Sequence, residues 1–149
     1  MGELGLLRAV HVVGAVLLLG NVTVTGFWAA YLYRARSRVP FRAVARAILW
    51  ADLGFTLVGS ISLVVSGILL VRARGYPLAE TPWLRHGIGA LAVSTALWLL
   101  FLLPDQWRME RIDPADDAAL RRIFARWSVV GWTATALLFY GLWAMVAKA

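Results

Sequence analysis

Three residue types could do chemistry in a chain that is otherwise mostly hydrocarbon: two histidines, an intramembrane asparagine and an isolated aspartate. His11 lies in RAVHVVGAVLLLGNVT, residues 8–23, with Asn21 ten positions further on. His86 follows Arg85 in PWLRHGIG, residues 82–89. Asp52 comes six residues after Arg46. Neutral imidazole is a common ligand of metal ions and of haem iron. Two imidazoles on different helices at similar depth can clamp one iron or copper, so His11 and His86 are candidate metal ligands. Asp52 has two readings. It is a proton-handling acid, or it is the structural partner of an arginine such as Arg46 or Arg126. A carboxylate inside a membrane is costly unless it is paired, hydrated or protonated, so either reading requires it to face the interior.

Other chemistries have no foothold. No HExxH, Walker loop, GxSxG or dinucleotide fingerprint occurs. The chain has no cysteine, which excludes disulfides, thiolate metal sites and iron–sulfur clusters. Eight tryptophans are many for 149 residues. Trp28, Trp83, Trp107, Trp127 and Trp143 fall near the ends of apolar stretches and read as interfacial anchors, as do Tyr31 and Tyr33. Trp50, Trp98 and Trp132 lie deeper, where they fit core packing or a flat cofactor.

The elements that carry these residues follow from hydropathy. The chain is 61% hydrophobic, with a mean hydropathy of +0.73. Soluble domains are roughly half apolar. Residues 12–33, 53–71, 87–104 and 127–147 contain no charged residue and no histidine. Each approximates the roughly 20 residues that cross a bilayer core. The expected architecture is all-α: one transmembrane domain over 1–149, a four-helix bundle with spans at about 5–33, 44–71, 83–103 and 122–147. Pro40 is expected in the first turn of the second helix and Pro82 and Trp83 at the start of the third. Pro104 should kink or stop the third. Asp113 and Pro114 give a start signal for the fourth.

Charge sets the expected orientation. Ten of the fifteen basic residues are Arg34, Arg36, Arg38, Arg42 and Arg46, then Arg108, Arg111, Arg121, Arg122 and Arg126. The positive-inside rule puts both groups in the cytoplasm and both termini on the outer, periplasmic side of a bacterial inner membrane. The net charge of +7 is then accounted for by anionic lipid headgroups, with no nucleic-acid partner. On the first helix His11, Gly14, Leu18, Asn21, Thr25 and Trp28 form one seam. On the second, Asp52, Thr56, Gly59, Leu63, Ser66 and Gly67 form another. Small and hydroxyl-bearing residues of this kind mark helix contacts.

LLRAVHVVGAVLLLGNVTVTGFW, residues 6–28, resembles a family of small bacterial four-helix membrane proteins of unknown function. A histidine early in the first span, a glycine and then a Gly-Asn pair carry the likeness, which extends over nearly the whole chain in span number and length. More distantly the chain is similar to the HemJ-type protoporphyrinogen oxidases and the CopD-type copper proteins, which also have a histidine early in such a span. PWLRHGIG resembles a Trp-Leu stretch of the HemJ type at Trp83 and Leu84. That type's functional lysine has no counterpart: Gly87 stands near its place, and the chain's one lysine is Lys148.

The resemblance implies a b-type haem or porphyrin near the outer face, serving electron transfer or porphyrin redox chemistry. His11 carries over as a ligand, His86 is the candidate second ligand, and Asn21 is a cofactor contact. Copper is the alternative cofactor, in a CopD-like binding or transport role. It is short of further ligands, since only Met1 offers a thioether at that end. A third reading is a non-catalytic assembly module. The partners expected are the lipid bilayer, and a second copy or a membrane redox protein.

Overall fold

A backbone in hydrocarbon must satisfy its own hydrogen bonds, so each apolar stretch closes into a helix. The computed structural model describes residues 2–148. It has four long helices: α1 (Glu3–Arg34), α2 (Phe41–Arg74), α3 (Pro82–Arg111) and α4 (Asp117–Ala147). All four are long and apolar enough to cross a membrane. At 1.5 Å per residue they run to about 45–50 Å, beyond a hydrocarbon core of about 30 Å. A three-residue 3₁₀ turn, Leu78–Glu80, joins α2 to α3.

Local chemistry sets the boundaries, and several differ from the sequence reading. α2 continues to Arg74 and stops at Gly75, whose φ of 63° is the left-handed cap that glycine adopts without strain. Pro40 sits at the N-cap of α2, one residue outside the helix. Pro82 does open α3. Asp113 does not cap α4. It accepts from the backbone N–H of Ala115 at 2.9 Å in a separate turn, and Asp116 is the cap, accepting from Ala119 N–H at 2.9 Å. Pro104 does not end α3. The helix widens into a π-helical turn at Trp98–Leu102 and runs on to Arg111. The wider turn lets the backbone pass a residue that has no N–H and whose ring crowds the preceding turn.

The helices pack as two hairpins. α1 lies against α2 and α3 against α4. Gly14 and Gly59 meet at the first crossing. A Cβ on either would stand 2.9 Å from backbone atoms of the other helix. Gly87 and Gly141 serve the second crossing, against Met145 and Ala90.

The hairpins join at their arginine-rich end, where the first part of α2 packs on the last part of α3. An aromatic core lies there. Tyr33 stacks on Phe124 at 3.8 Å between centroids, with Phe41 edge-on to both. Ion pairs surround it: Arg36–Asp117 and Arg46–Glu110 at 2.7 Å each, and Arg126 on Asp105. The hydrogen bond to Asp117 holds the Arg36 guanidinium above its ordinary pKa. At the other end, no Cα of the outer part of α2 (Leu57–Arg74) lies within 8 Å of one in the first part of α3 (Pro82–Leu97). Close packing of α2 on α3 is confined to the arginine-rich end.

Candidate functional site

Asp52 is the best-connected polar residue in the bundle. Only 4% of it is exposed. Asn21 of α1 donates to Oδ1 at 2.9 Å, and Thr56, one turn further along α2, donates to the same oxygen at 3.0 Å. Gln106 of α3 donates to Oδ2 at 2.7 Å and Trp98 Nε1 at 3.4 Å. Asn21 uses its second N–H on the Thr56 hydroxyl at 2.9 Å. A carboxylate has about four acceptor positions, and here neutral donors fill them. The expected arginine partner is absent: Arg46 pairs with Glu110 and Arg126 with Asp105. Both arginines find nearer carboxylates at the membrane edge, where part of their charge stays in water.

Backbone irregularities help to assemble this cluster. Asp52–Thr56 is a π-helical turn, and so is Trp98–Leu102. Each rotates the residues that follow relative to those before. Such turns recur at functional sites. Here both contribute side chains to the same carboxylate.

Beside the cluster lies a cavity of about 160 Å³ walled by all four helices. Leu18, Leu91, Leu102 and Leu138 make apolar walls, Trp98 and Trp132 aromatic ones, and Asp52, Gln106 and Trp127 lie at the arginine-rich end. Two atoms of that end are left over. Among the described residues, the buried side-chain atoms without a hydrogen-bond partner are Gln106 Oε1, Trp127 Nε1 and Tyr33 Oη. The first two belong to residues of the cavity wall. Nothing in the sequence singled out Gln106, because a glutamine two residues from Arg108 reads as the polar end of a span. Trp127 was expected as an interfacial anchor but is buried at 7% exposure. The stack with Phe124 in the aromatic core holds it there.

The histidines stand apart. His11 Nδ1 lies 3.1 Å from the Ser66 hydroxyl. Ser66 gives its proton to carbonyls of its own helix, at Ser62 or Leu63. With that proton on a carbonyl, Ser66 accepts from the Nδ1–H tautomer of His11. Gly67 provides the seat for the ring: a Cβ there would lie 3.1 Å from His11 Cε1. His86 is exposed and its Nδ1 pairs with the Tyr140 hydroxyl at 2.8 Å. No Cα of α1 lies within 8 Å of the part of α3 that carries His86, and each imidazole bonds within its own hairpin. Asn21, expected as a cofactor contact, serves Asp52 and Thr56. Among the described residues no group of three His, Cys, Asp or Glu side chains could hold a metal ion. Met1 lies outside the described residues.

The two seams are occupied as expected except at one end. Gly14, Leu18, Asp52, Thr56, Gly59 and Ser66 are buried, but Trp28 turns outward at 50% exposure and Ala29 takes its place. Trp50, expected in core packing or against a flat cofactor, is 67% exposed and faces away from the bundle.

Comparison with known proteins returns no match among curated proteins and none among solved structures. A family model described as "Predicted integral membrane protein (DUF2269)" matches residues 5–149. With four membrane-length helices and a match over nearly its whole length, the chain belongs to that family of integral membrane proteins.

Proposed function

We propose that this protein binds a small, mainly apolar molecule inside the membrane, in the cavity between its two hairpins, with the Asp52 cluster as the polar end of the site. The carrying observation is convergence. Four helices wall one cavity, and the polar groups of three of them gather at one end of it around a carboxylate that has no cationic partner. A membrane protein bears the cost of an intramembrane carboxylate chiefly where it has work to do. An apolar cavity of about 150 Å³ holds a benzene molecule, so about 160 Å³ suits one six-membered ring. The gap in close α2–α3 packing away from the arginine-rich end is the route from lipid in this reading. In this reading the protein resides in a bacterial cytoplasmic membrane, with its arginine-rich end inward and both termini outward.

Haem b, and copper as its alternative, have less support. Their ligands would be His11 and His86, which hydrogen-bond within different hairpins, to Ser66 and Tyr140, and neither lines the cavity. Nothing in this arrangement supports a shared haem or copper centre.

Fluorine NMR of 4-fluorotoluene with the protein in lipid nanodiscs tests the binding reading. A bound resonance distinct from the bilayer-dissolved one is expected. It should vanish in Thr95→Leu and in Gly131→Val, which fill the cavity from α3 and α4. A wild-type protein with no bound resonance, or one that persists in both folded variants, overturns the proposal.

A further inference from the structure

The cavity's polar end carries more information than its shape. Gln106 is 1% exposed and lines the cavity, yet its Oε1 has no partner. Trp127 lines the same cavity and its Nε1–H has none either. A buried polar group left unsatisfied costs about 1–3 kcal/mol, so two at one end of a cavity call for a third party. One is an acceptor and the other a donor. They stand at one level of the bundle, because Gln106 follows Asp105, Trp127 follows Arg126, and Asp105 and Arg126 are joined by a two-point ion pair.

The orientation of the Gln106 amide is not free. Its Nε2 lies 2.7 Å from Asp52 Oδ2. Turning the amide over would set Oε1 against a carboxylate oxygen, acceptor against acceptor. With Asp52 accepting through both oxygens, Gln106 is held with its own acceptor unspent. Asp52 itself has no acceptor position left, since Asn21, Thr56 and Trp98 fill the rest. The carboxylate positions the amide, and the amide is what meets a ligand.

We propose that the site selects a hydroxyl-bearing ring, of the phenol or hydroquinone class. Its O–H donates to Gln106 Oε1, and its oxygen accepts from Trp127 Nε1–H. A hydroxyl supplies both functions from one atom, whereas a ketone lacks the donor and a hydrocarbon lacks both. The aromatic walls Trp98 and Trp132 suit a flat ring. The same chemistry comes from two sources, a free phenol or a phenolic head on a lipid tail. This inference rests on the cavity-binding reading above and adds to it the identity of the ligand's polar group.

The test pairs 4-fluorophenol with 4-fluorotoluene, two probes of nearly equal shape that differ in the hydroxyl. Affinities are taken by fluorine NMR relative to bilayer-dissolved probe. The expected result is a preference for the phenol of about tenfold or more, the worth of one or two buried hydrogen bonds. Trp127→Phe keeps a ring and removes the N–H, and Gln106→Leu removes the acceptor. Each should cut the preference severalfold while 4-fluorotoluene still binds. A fluorinated hydroquinone bearing a ten-carbon tail forms the second arm. Tighter binding than the free phenol identifies a lipid-borne head, and exclusion identifies a free phenol. Equal binding of 4-fluorophenol and 4-fluorotoluene to the wild type overturns the hydroxyl inference alone and leaves water as the third party. Binding of neither overturns the cavity reading with it. A preference unchanged in both variants shows that the hydroxyl is read elsewhere and also overturns the assignment.

Discussion

Asp52→Asn removes one acceptor oxygen from a position where four donors meet and replaces it with a donor. At least one donor pair is then left opposed by an N–H. Hydrogen bonds to charged groups are worth about 1.5–3 kcal/mol, so a loss of about 1–3 kcal/mol is expected, read as a lowered unfolding midpoint in detergent. The variant has a second signature. Gln106 can relieve the clash by turning its Oε1 toward the new amide, which withdraws that acceptor from the cavity. Asp52→Asn should therefore keep 4-fluorotoluene binding and lose the preference for 4-fluorophenol. Unchanged stability would mean that the Asp52 carboxyl is not the satisfied acceptor centre described above. The histidines act at this scale too, but locally. His11 ties α1 to α2 through Ser66, and His86 ties α3 to α4 through Tyr140.

At the scale of the helices, the Gly14–Gly59 crossing is the tightest contact between α1 and α2. Each glycine's missing Cβ leaves room for the other helix's backbone. Lipid tails are as apolar as leucine, so close packing rather than hydrophobic burial holds such helices together. Gly14→Ala or Gly59→Ala must push the backbones apart, at a cost of about 1–3 kcal/mol. The double variant should cost less than the sum, because both substitutions break one contact. Gly20→Ala is the control: a Cβ there meets nothing within 4 Å. It should be neutral, or stabilising by up to about 1 kcal/mol through helix propensity. Thermal unfolding of the four variants checks the set. Equal losses at Gly14 and Gly20 would show that the crossing does not matter to stability. The two π-helical turns belong to this scale as well, since each alters which face of its helix reaches the cavity.

At the scale of the molecule, two hairpins pack together most closely at the arginine-rich end, where α2 meets α3. The ion pairs and the aromatic core of Tyr33, Phe41, Phe124 and Trp127 close that end. The orientation of the bundle determines which side of the membrane the polar end of the cavity approaches. With the arginines inward, alkaline phosphatase fused after Ala147 should be active, and a fusion after Arg38 should be inactive. A fluorescent-protein fusion should give the inverse pattern. The reverse result at both sites would turn the bundle over and place the Asp52 end toward the outer face.

The sequence by itself determined the fold class and the four spans. Twenty uncharged apolar residues admit few structures in lipid, and that constraint is local to each stretch. It also marked the seams at Gly14, Leu18 and Asn21 and at Asp52, Thr56 and Gly59, because small and polar residues at helical spacing must avoid lipid. The identity of Asp52's partners could not be read this way. Arg46 was the nearest charge along the chain and Arg126 another arginine of the same end, but Asn21, Trp98 and Gln106 reach the carboxylate from other helices, over sequence separations of 31, 46 and 54 residues. The histidines show the converse. Matching depth suggested one site, whereas each histidine bonds within its own hairpin, because depth along a helix says nothing about which helix is the neighbour. The rotations at Asp52–Thr56 and Trp98–Leu102 also have no signature in a hydropathy pattern. Which polar atoms remain unspent at Gln106 and Trp127 was decided last, by the tertiary structure alone. An unsatisfied atom is defined by everything that surrounds it, and those surroundings come from four separate helices.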